Sequence, residues 1–444
     1  MENPKLIGDR KFLIAMIAVA VTLIIDTSLV KINDLIDKYF IPMESKVILF
    51  SVNSSTCLLF QFIIIKHVMD SLGSHELRNT PKVRSLNTIS LTSFIALAVF
   101  VALIMFQLFY YHFYETWINI LIVSISYGTS ALLLIRLSLF FFHWYKSNHD
   151  LIVLLYFVSL SLIAFNLILA ALFVDFKVTE VQYRLREFVG GGGDASGGKY
   201  LFLGNLYSIS SLISFFSIWM TTAILMNSYR EKLIRSVTYW IILVLPMVYF
   251  LMTYFYQFFL SNMLSSYFQN DPVTVSIIVS AFLSLSKPIG GLIFAIAFWN
   301  MSRVVRYERK MKISMVIAGW GIFFIFSANQ ASTQIIAHYP PFGITTLTIM
   351  NVAAYLMVLG IYNSATLVSS NNSLRSYIHQ RALKLLNPIG RAEMEGEIQK
   401  TVKKISEHKE IAEISSDETF EFDENELKKY LTEVIKAKRE NLFK

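Results

Sequence analysis

Long apolar segments separated by short polar connections make up the first 370 residues of the chain. Each segment is long enough to cross a hydrocarbon core of about 30 Å as an α-helix. The ten segments lie near residues 12–30, 47–69, 89–112, 117–142, 151–174, 201–226, 238–260, 273–299, 313–336 and 344–367. This pattern predicts an all-α protein in which residues 1–370 form a polytopic membrane bundle of about ten transmembrane helices.

Residues 371–444 are polar and predict a small, helical, cytoplasmic tail. The stretch 374–386 is basic and imperfectly amphipathic, which is typical of a helix lying on a membrane surface. The sequence Asn-Pro-Ile-Gly at 387–390 predicts a turn that ends this helix.

Two further amphipathic helices are predicted in the tail. One starts at Arg391, and the other starts at Asp423, where Glu426 completes a capping box. The apolar stripe of the first consists of Met394, Ile398, Val402 and Ile405. These faces need a cover, so residues 391–444 are a candidate surface for a protein partner. Because the stripes are short, we expect the bundle to remain folded without residues 391–444.

The composition agrees with a membrane protein. Hydrophobic residues make up 55% of the chain, and the mean hydropathy is +0.54, both far above the average for soluble domains. The single cysteine, Cys57, lies in an apolar segment. Because the chain has one cysteine, a disulfide framework and a cysteine-based metal site within the chain are excluded.

The positive charge is concentrated in the membrane part. Up to residue 370 there are 25 basic and 17 acidic residues, whereas the tail has 14 of each. Connections on one side of the predicted bundle carry sixteen Lys and Arg residues, and those on the other side carry seven. The positive-inside rule then predicts a multi-pass protein of the cell membrane. Its amino and carboxyl termini both lie in the cytoplasm. Membrane lipid is the expected partner of such loops, and nucleic acid is not.

The Gly-rich connection at 190–200 contains part of a phosphate-binding motif. Residues 193–199 fit G-x-x-x-x-G-K, but Tyr200 stands where a Ser or Thr would hold magnesium. The preceding residues 180–190 are charged and do not read as the buried strand that this motif requires. We interpret the segment as a flexible connector on the outer side of the membrane.

Signatures of soluble-type catalysis are missing from the sequence. The histidines do not fit H-E-x-x-H or a comparable metal-binding spacing, and no G-x-S-x-G motif occurs. The sequence favours a protein that is not an enzyme. It points to no metal site and does not identify a cofactor.

Polar residues surround the ninth predicted helix: Ser327, Asn329, Gln330, Ser332, Thr333 and Gln334. A helix facing lipid would not carry polar groups on every side. Two interpretations stay open, hydrogen-bonded packing between helices and a hydrated path for a ligand or ion. Asn351 adds a polar group to the tenth segment, whereas Asp26 and Arg136 near the ends of their segments are interpreted as structural.

Lys287, near the middle of the eighth segment, is the strongest candidate for a functional residue. A charged Lys at that depth costs about 2.5–3.5 kcal/mol even on a permissive insertion scale. Pro288 is expected to break the helix and leave the carbonyl of Ser284 without its helical partner. Gly290 and Gly291 are expected to let the helix bend or a neighbour approach.

No Asp or Glu lies near the middle of any predicted span, so a simple buried ion pair is not available to Lys287. Lys287 is then neutral, held by amide and carbonyl groups, or paired with an anionic ligand. The structural alternative is a satisfied lysine in a kinked helix. The predicted ligand-binding set consists of Lys287, Asn329, Gln330, Gln334 and Asn351.

Two stretches resemble uncharacterised multi-span membrane proteins of ammonia-oxidising archaea. They are SLSKPIGGLIFAIAFW at 284–299 and LRSYIHQRALKLLNPIGRAEMEGEIQKTV at 374–402. The resemblance implies an archaeal cell membrane. Because that group has no established activity, the resemblance assigns no role to any residue.

Three functions are compatible with the sequence. The first is a receptor or sensor-like protein in which a small ligand, ion or lipid bound in the bundle alters the tail. The second is a secondary transporter or channel, favoured by the broken eighth span and the polar ninth span. The third is a structural subunit of a larger membrane complex.

The charge distribution generates a topological prediction. In a Cys57→Ser background, Ser196→Cys should react with a membrane-impermeant thiol reagent in intact cells, whereas Ser415→Cys should react only after the membrane is opened. Labelling in the reverse order would contradict the orientation.

Overall fold

The structure is a computed structural model. It describes residues 4–38, 42–71, 81–187, 197–227, 236–255, 279, 282–305, 308–329, 340–380 and 385–413. The described residues form twelve α-helices: α1 (Pro4–Lys38), α2 (Met43–Ser71), α3 (Pro81–Tyr111), α4 (Thr116–Asn148), α5 (Leu151–Glu187), α6 (Gly197–Asn227), α7 (Ser236–Phe255), α8 (Ser286–Val304), α9 (Arg309–Asn329), α10 (Ile344–Ser370), α11 (Asn372–Gln380) and α12 (Leu386–Glu413). The predicted all-α class is confirmed.

Nine of the described helical segments are long and apolar enough to cross a membrane. They belong to α1–α6 and α8–α10. Within the described chain, α7 has a shorter apolar stretch, Leu243–Phe255, and residues 256–260 of the span predicted near 238–260 lie outside it. The fold is that of a multi-pass membrane protein.

Helix α1 shows how the bundle meets lipid. Ile14, Ile17, Val21 and Ile24 are about half exposed, although all are strongly apolar. Ala15, Met16, Val19 and Leu23 on the other side are buried among the neighbouring helices. A helix that is apolar all round, with one face exposed, is favourable only when hydrocarbon covers that face.

Helix α10 lies at the centre of the bundle. Every residue from Ile344 to Thr366 is buried. The helix packs against α1, α2, α3, α4 and α9, and against the tail helices α11 and α12. The last predicted span is therefore the core around which the earlier spans are arranged.

Polar side chains from three neighbours hold α10 in register. The hydroxyl of Ser54 on α2 lies 2.7 Å from that of Thr345, and Gln61, also on α2, donates to the hydroxyl of Thr348 at 2.9 Å. On the α3 side, the hydroxyl of Tyr355 donates to Asn87 at 2.8 Å. Ser126 on α4 donates to the carbonyl of Leu347. Such lateral hydrogen bonds fix the rotation of a helix that apolar packing alone would leave poorly specified.

Both ends of α10 are capped by charged side chains of matching sign. At the amino end, the buried carboxylate of Asp26 accepts hydrogen bonds from the backbone N–H of Gly343 at 3.1 Å and of Thr346 at 2.9 Å, and from the Thr346 hydroxyl at 2.6 Å. At the carboxyl end, Arg375 donates to the carbonyls of Val368, at 3.3 Å, and Ser369. A negative group at the amino end and a positive group at the carboxyl end bind backbone groups that lack helical partners. Both charges also interact favourably with the helix dipole.

Glycines bring α9 and α10 into backbone contact. A Cβ added at Gly321 would lie 2.6 Å from the backbone N of Met357, and one added at Gly360 would lie 2.6 Å from the backbone N of Ala318 and the O of Ser314. The two contacts are reciprocal, one glycine on each helix. Small residues that allow such approach are a common basis of helix pairing in membranes.

We expect Gly360→Ala to destabilise the bundle by about 1–3 kcal/mol, because the new methyl group must displace backbone rather than a flexible side chain. Gly128→Ala on α4 is the matched control, since nothing lies within 4 Å of its Cβ position, and it should be neutral or slightly stabilising. Unfolding curves in mild detergent would measure both. Equal stability of the two variants would contradict close α9–α10 packing.

The tail differs from the sequence-based expectation. Residues 387–390 do not form a turn, because α12 already begins at Leu386. Pro388 falls in the first turn of α12, where its missing N–H would have no helical partner anyway. The side chain of Ile405 and the helix predicted from Asp423 lie outside the described residues.

The start of α12 is packed onto the membrane bundle. The carbonyl of Pro388 accepts a hydrogen bond from Asn148 at 2.6 Å, and the carboxylate of Glu393 accepts one from the indole N–H of Trp144 at 2.9 Å. Ala392 and Val402 are buried. The first part of residues 391–444 thus contacts the ends of α4 and α10, which favours a stabilising role for it, although the bundle was predicted to remain folded without residues 391–444.

We expect removal of residues 391–444 to lower the free energy of unfolding by roughly 2 kcal/mol or more. This is the order of magnitude for the loss of one buried valine and one hydrogen bond to a charged group. The control is removal of residues 414–444, which leaves the contacts of α12 intact. Thermal unfolding in detergent would compare them. Identical melting of the two truncated proteins would show that α12 does not stabilise the bundle.

Candidate functional site

The candidate site is built around the start of α8. The segment before it turns at Leu285, whose N–H bonds to the carbonyl of Phe282 at 3.1 Å. Helix α8 then begins at Ser286, inside the apolar stretch that the described residues mark from Phe282 to Arg303. Residues 282–284 before the turn are also α-helical, and Leu285 has helical φ and ψ values of −76° and −8°, so the turn is a local break within one helical span. Such a break in an apolar span is tolerated only where protein or a cavity surrounds it.

Pro288 lies where the sequence predicts a break in the helix. A turn at Leu285 separates the helical residues 282–284 from α8, and Pro288 stands in the first turn after it. The helical bonding resumes with the N–H of Ile289, which donates to the carbonyl of Leu285 at 3.0 Å. Pro288 therefore fits the helix start, where its fixed φ is favourable and its missing N–H is not needed.

Lys287 is buried in the bundle, with 6% of its surface exposed. Its ammonium donates a hydrogen bond to the hydroxyl of Tyr207 on α6 at 3.2 Å and lies 5.4 Å from the centre of the same ring. Tyr207 is itself buried and is stacked on Phe173 of α5, with 5.7 Å between ring centres. The direct partner of Lys287 is thus on α6, rather than on α9 or α10.

A hydrogen-bonded path connects Lys287 with Asn329. Asn166 on α5 donates to the carbonyl of Tyr207 and to the hydroxyl of Ser210, both at 3.4 Å. The amide of Asn329, at the end of α9, donates to the side-chain carbonyl of Asn166 at 3.0 Å. We call the five residues Lys287, Tyr207, Ser210, Asn166 and Asn329 the lysine cluster. It joins α5, α6, α8 and α9 through buried polar groups.

The electrostatics of the lysine cluster are unfavourable for a cation. Lys287 stands two residues after the turn at Leu285, within the apolar stretch Phe282–Arg303. Its contacts in the described part of the chain are with the ring and hydroxyl of Tyr207, and no ion pair joins them. A buried ammonium held by neutral groups is costly unless further hydrogen bonds or an anion compensate it. The site is therefore suited to an anionic or strongly hydrogen-bonding ligand.

Gly290 and Gly291 allow two helices to approach α8, as the sequence suggested. A Cβ at Gly290 would lie 2.5 Å from the ring of Phe215 on α6. One at Gly291 would lie 2.8 Å from the Cβ of Phe326 and 3.1 Å from the carbonyl of Phe323, both on α9. The glycines therefore fix α8 between α6 and α9, next to Lys287.

The described members of the predicted ligand-binding set have different hydrogen-bond partners. Lys287 and Asn329 belong to the lysine cluster, whereas Asn351 lies on α10 and donates to the carbonyl of Ser90 on α3 at 3.2 Å. Gln330 and Gln334 lie outside the described residues. Among the residues that are described, no group of three or more His, Cys, Asp or Glu side chains is arranged to hold a metal ion.

Sequence reasoning missed Tyr207 and Asn166. Asn166 carried a usable signal, because it is an isolated amide in the apolar sequence LIAFNLILA, and such residues usually face other helices. Tyr207 carried little signal, since a tyrosine in an apolar segment is typical of both packing and membrane interfaces.

The surface near the start of α8 contains a groove. Its volume is about 440 Å³, and residues of α1, α9 and the start of α8 line it. Pro288 and Ile289 belong to this lining, so the groove and the lysine cluster meet the same helical turn. The volume falls in the range of roughly 300–1,000 Å³ that is usual for small-molecule sites.

The fold and the site define a polytopic helical membrane protein with a buried cationic side chain at a helix start. Comparison with protein-family models, curated proteins and solved structures finds no match. The function must therefore be inferred from the geometry of this chain itself.

Proposed function

We propose that this protein is a receptor or sensor-like membrane protein. A small ligand, ion or lipid bound in the bundle beside the lysine cluster changes how α12 is docked. The proposal places the protein in an archaeal cell membrane with both termini in the cytoplasm, in agreement with its loop charges. Residues 391–444 would then be accessible to a cytoplasmic protein partner.

One observation carries this proposal: a series of close glycine contacts leads from the lysine cluster to the tail. Gly291 brings α8 against Phe326 of α9, Gly321 and Gly360 bring α9 against α10, and a Cβ at Gly390 of α12 would lie 2.1 Å from Val368 of α10. Contacts this short leave little side-chain length to absorb a displacement. A shift of α8 would therefore move α9, α10 and α12 together, which is the physical requirement for coupling between two sites.

The tail contacts are suited to respond to such a shift. The carboxylate of Glu393 is buried with the Trp144 indole as its hydrogen-bond donor, and Arg375 is bound to the last carbonyls of α10. These interactions are directional and involve charged groups, so a small displacement weakens them more than it weakens apolar packing. Loss of these bonds would release the start of α12.

A secondary transporter or channel is the alternative, and the start of α8 at Ser286 favours it. Discontinuous helices with polar groups at the break are typical of transporter binding sites. Against this, α10 fills the centre of the described bundle with buried side chains. The sensor is therefore the preferred function.

Hydrogen–deuterium exchange would test the coupling. We expect Lys287→Met to change deuterium uptake of the α12 peptides covering 386–402 by about fivefold or more, the low end of ordinary coupling between sites. Uptake in the centre of α10 should remain unchanged. Lys66→Met is the matched control, since Lys66 is an exposed lysine on α2, and it should leave α12 unaffected.

Three outcomes would contradict the proposal. Faster exchange throughout the protein would make Lys287 a purely structural residue. Unchanged exchange in α12 would remove the coupling. Flux of Na⁺, K⁺, Cl⁻ or protons into proteoliposomes that Lys287→Met abolishes would favour the transporter instead.

A further inference from the structure

The groove beside α8 has a graded polarity along its length. Its lining at one end includes the hydroxyl-bearing residues Thr27 and Ser28 from α1, Ser284 from the segment before α8 and Ser327 from α9. At the other end the lining is apolar, with Ala20 from α1, Leu292 from α8 and Phe323 from α9. On α1, Ala20 lies farther than Ser28 from the end of the apolar stretch Arg10–Val30. The hydroxyls therefore mark the end near the membrane surface.

The groove is open to the lipid side of the bundle. Ile24, Leu285, Ile289 and Leu292 line it and are 37–54% exposed. On helices of this hydropathy, partly exposed aliphatic side chains face hydrocarbon. The groove is thus continuous with the surface that contacts the bilayer, and hydrocarbon can enter it without crossing water.

The length of the groove matches one leaflet. From Ala20 to Ser28 the lining extends along α1 by about 12 Å at the helical rise. Half of a hydrocarbon core of about 30 Å has a comparable thickness. An acyl chain that enters beside Ser28 would therefore have its terminal methyl group near Ala20, at the apolar end.

We propose that this groove binds one acyl chain of a membrane phospholipid. Its ester and headgroup region lies at the hydroxyl end, and the chain lies between α1, α8 and α9. A bound acyl chain would contact Leu285 and Pro288. The same helical turn also carries Lys287. The binding stands on the groove alone, whereas a signalling role for the lipid rests on the proposed function.

Native mass spectrometry would test this binding. The protein is reconstituted in liposomes of a single synthetic phosphatidylcholine, extracted into mild detergent and washed. We expect the wild-type protein to retain one phospholipid. Ala20→Phe fills the deep end of the groove and should lower that occupancy by about fivefold or more. Val99→Phe on the exposed face of α3 is the control and should retain the lipid.

The test separates this proposal from the proposed function. Lys287→Met should retain the lipid, because Lys287 does not line the groove. If Ala20→Phe does not fold, Ser28→Phe fills the other end of the groove and is measured instead. A wild-type protein without retained lipid, or equal retention in a folded groove-filled variant, would overturn the proposal. So would a retained molecule other than phosphatidylcholine, or a dimer that the filled variants abolish.

Discussion

The fold depends on the capping of one helix. Helix α10 is buried over nearly its whole length. The backbone N–H and C=O groups at its two ends therefore need hydrogen-bond partners within the protein. Asp26 satisfies the amino end and Arg375 the carboxyl end. Without these groups, several N–H and C=O groups would be unpaired in a medium of low dielectric, which is more costly there than at a solvated helix end. The neighbouring helices are arranged so that these two side chains reach α10.

This arrangement explains where polar groups occur in the bundle. Ser54, Gln61 and Asn351 all bond to or from α10, so the polar residues of α2 and α10 serve orientation. The hydrogen bonds described for the lysine cluster connect other helices. It joins α5, α6, α8 and α9 around a cation that no carboxylate in the described chain compensates. This difference distinguishes the polar groups of the fold from those of the candidate site.

Hydropathy alone predicted the all-α class, because apolar segments of membrane-spanning length have few alternative structures in lipid. It also singled out Lys287, since a charge in such a segment is rare and costly. The partners of Lys287 and the separation of Asn351 from Asn329 depend on which helices are neighbours, and a single sequence does not contain that information. Residues 387–390 were predicted to form a turn because they contain Pro388, although proline is also favourable in the first turn of a helix. The docking of α12 on Trp144 required the tertiary structure.

The central position of α10 has a consequence for biogenesis. The carboxylate of Asp26 is bound by the N–H of Gly343, which lies 317 positions later in the chain. While the protein is being synthesised, the earlier spans enter the membrane before their common core exists. Ser54, Gln61 and Asp26 must meanwhile be satisfied by water, lipid headgroups or the insertion machinery. The bundle therefore reaches its final packing only after α10 is inserted, and its nascent chain is most vulnerable to quality control just before that step.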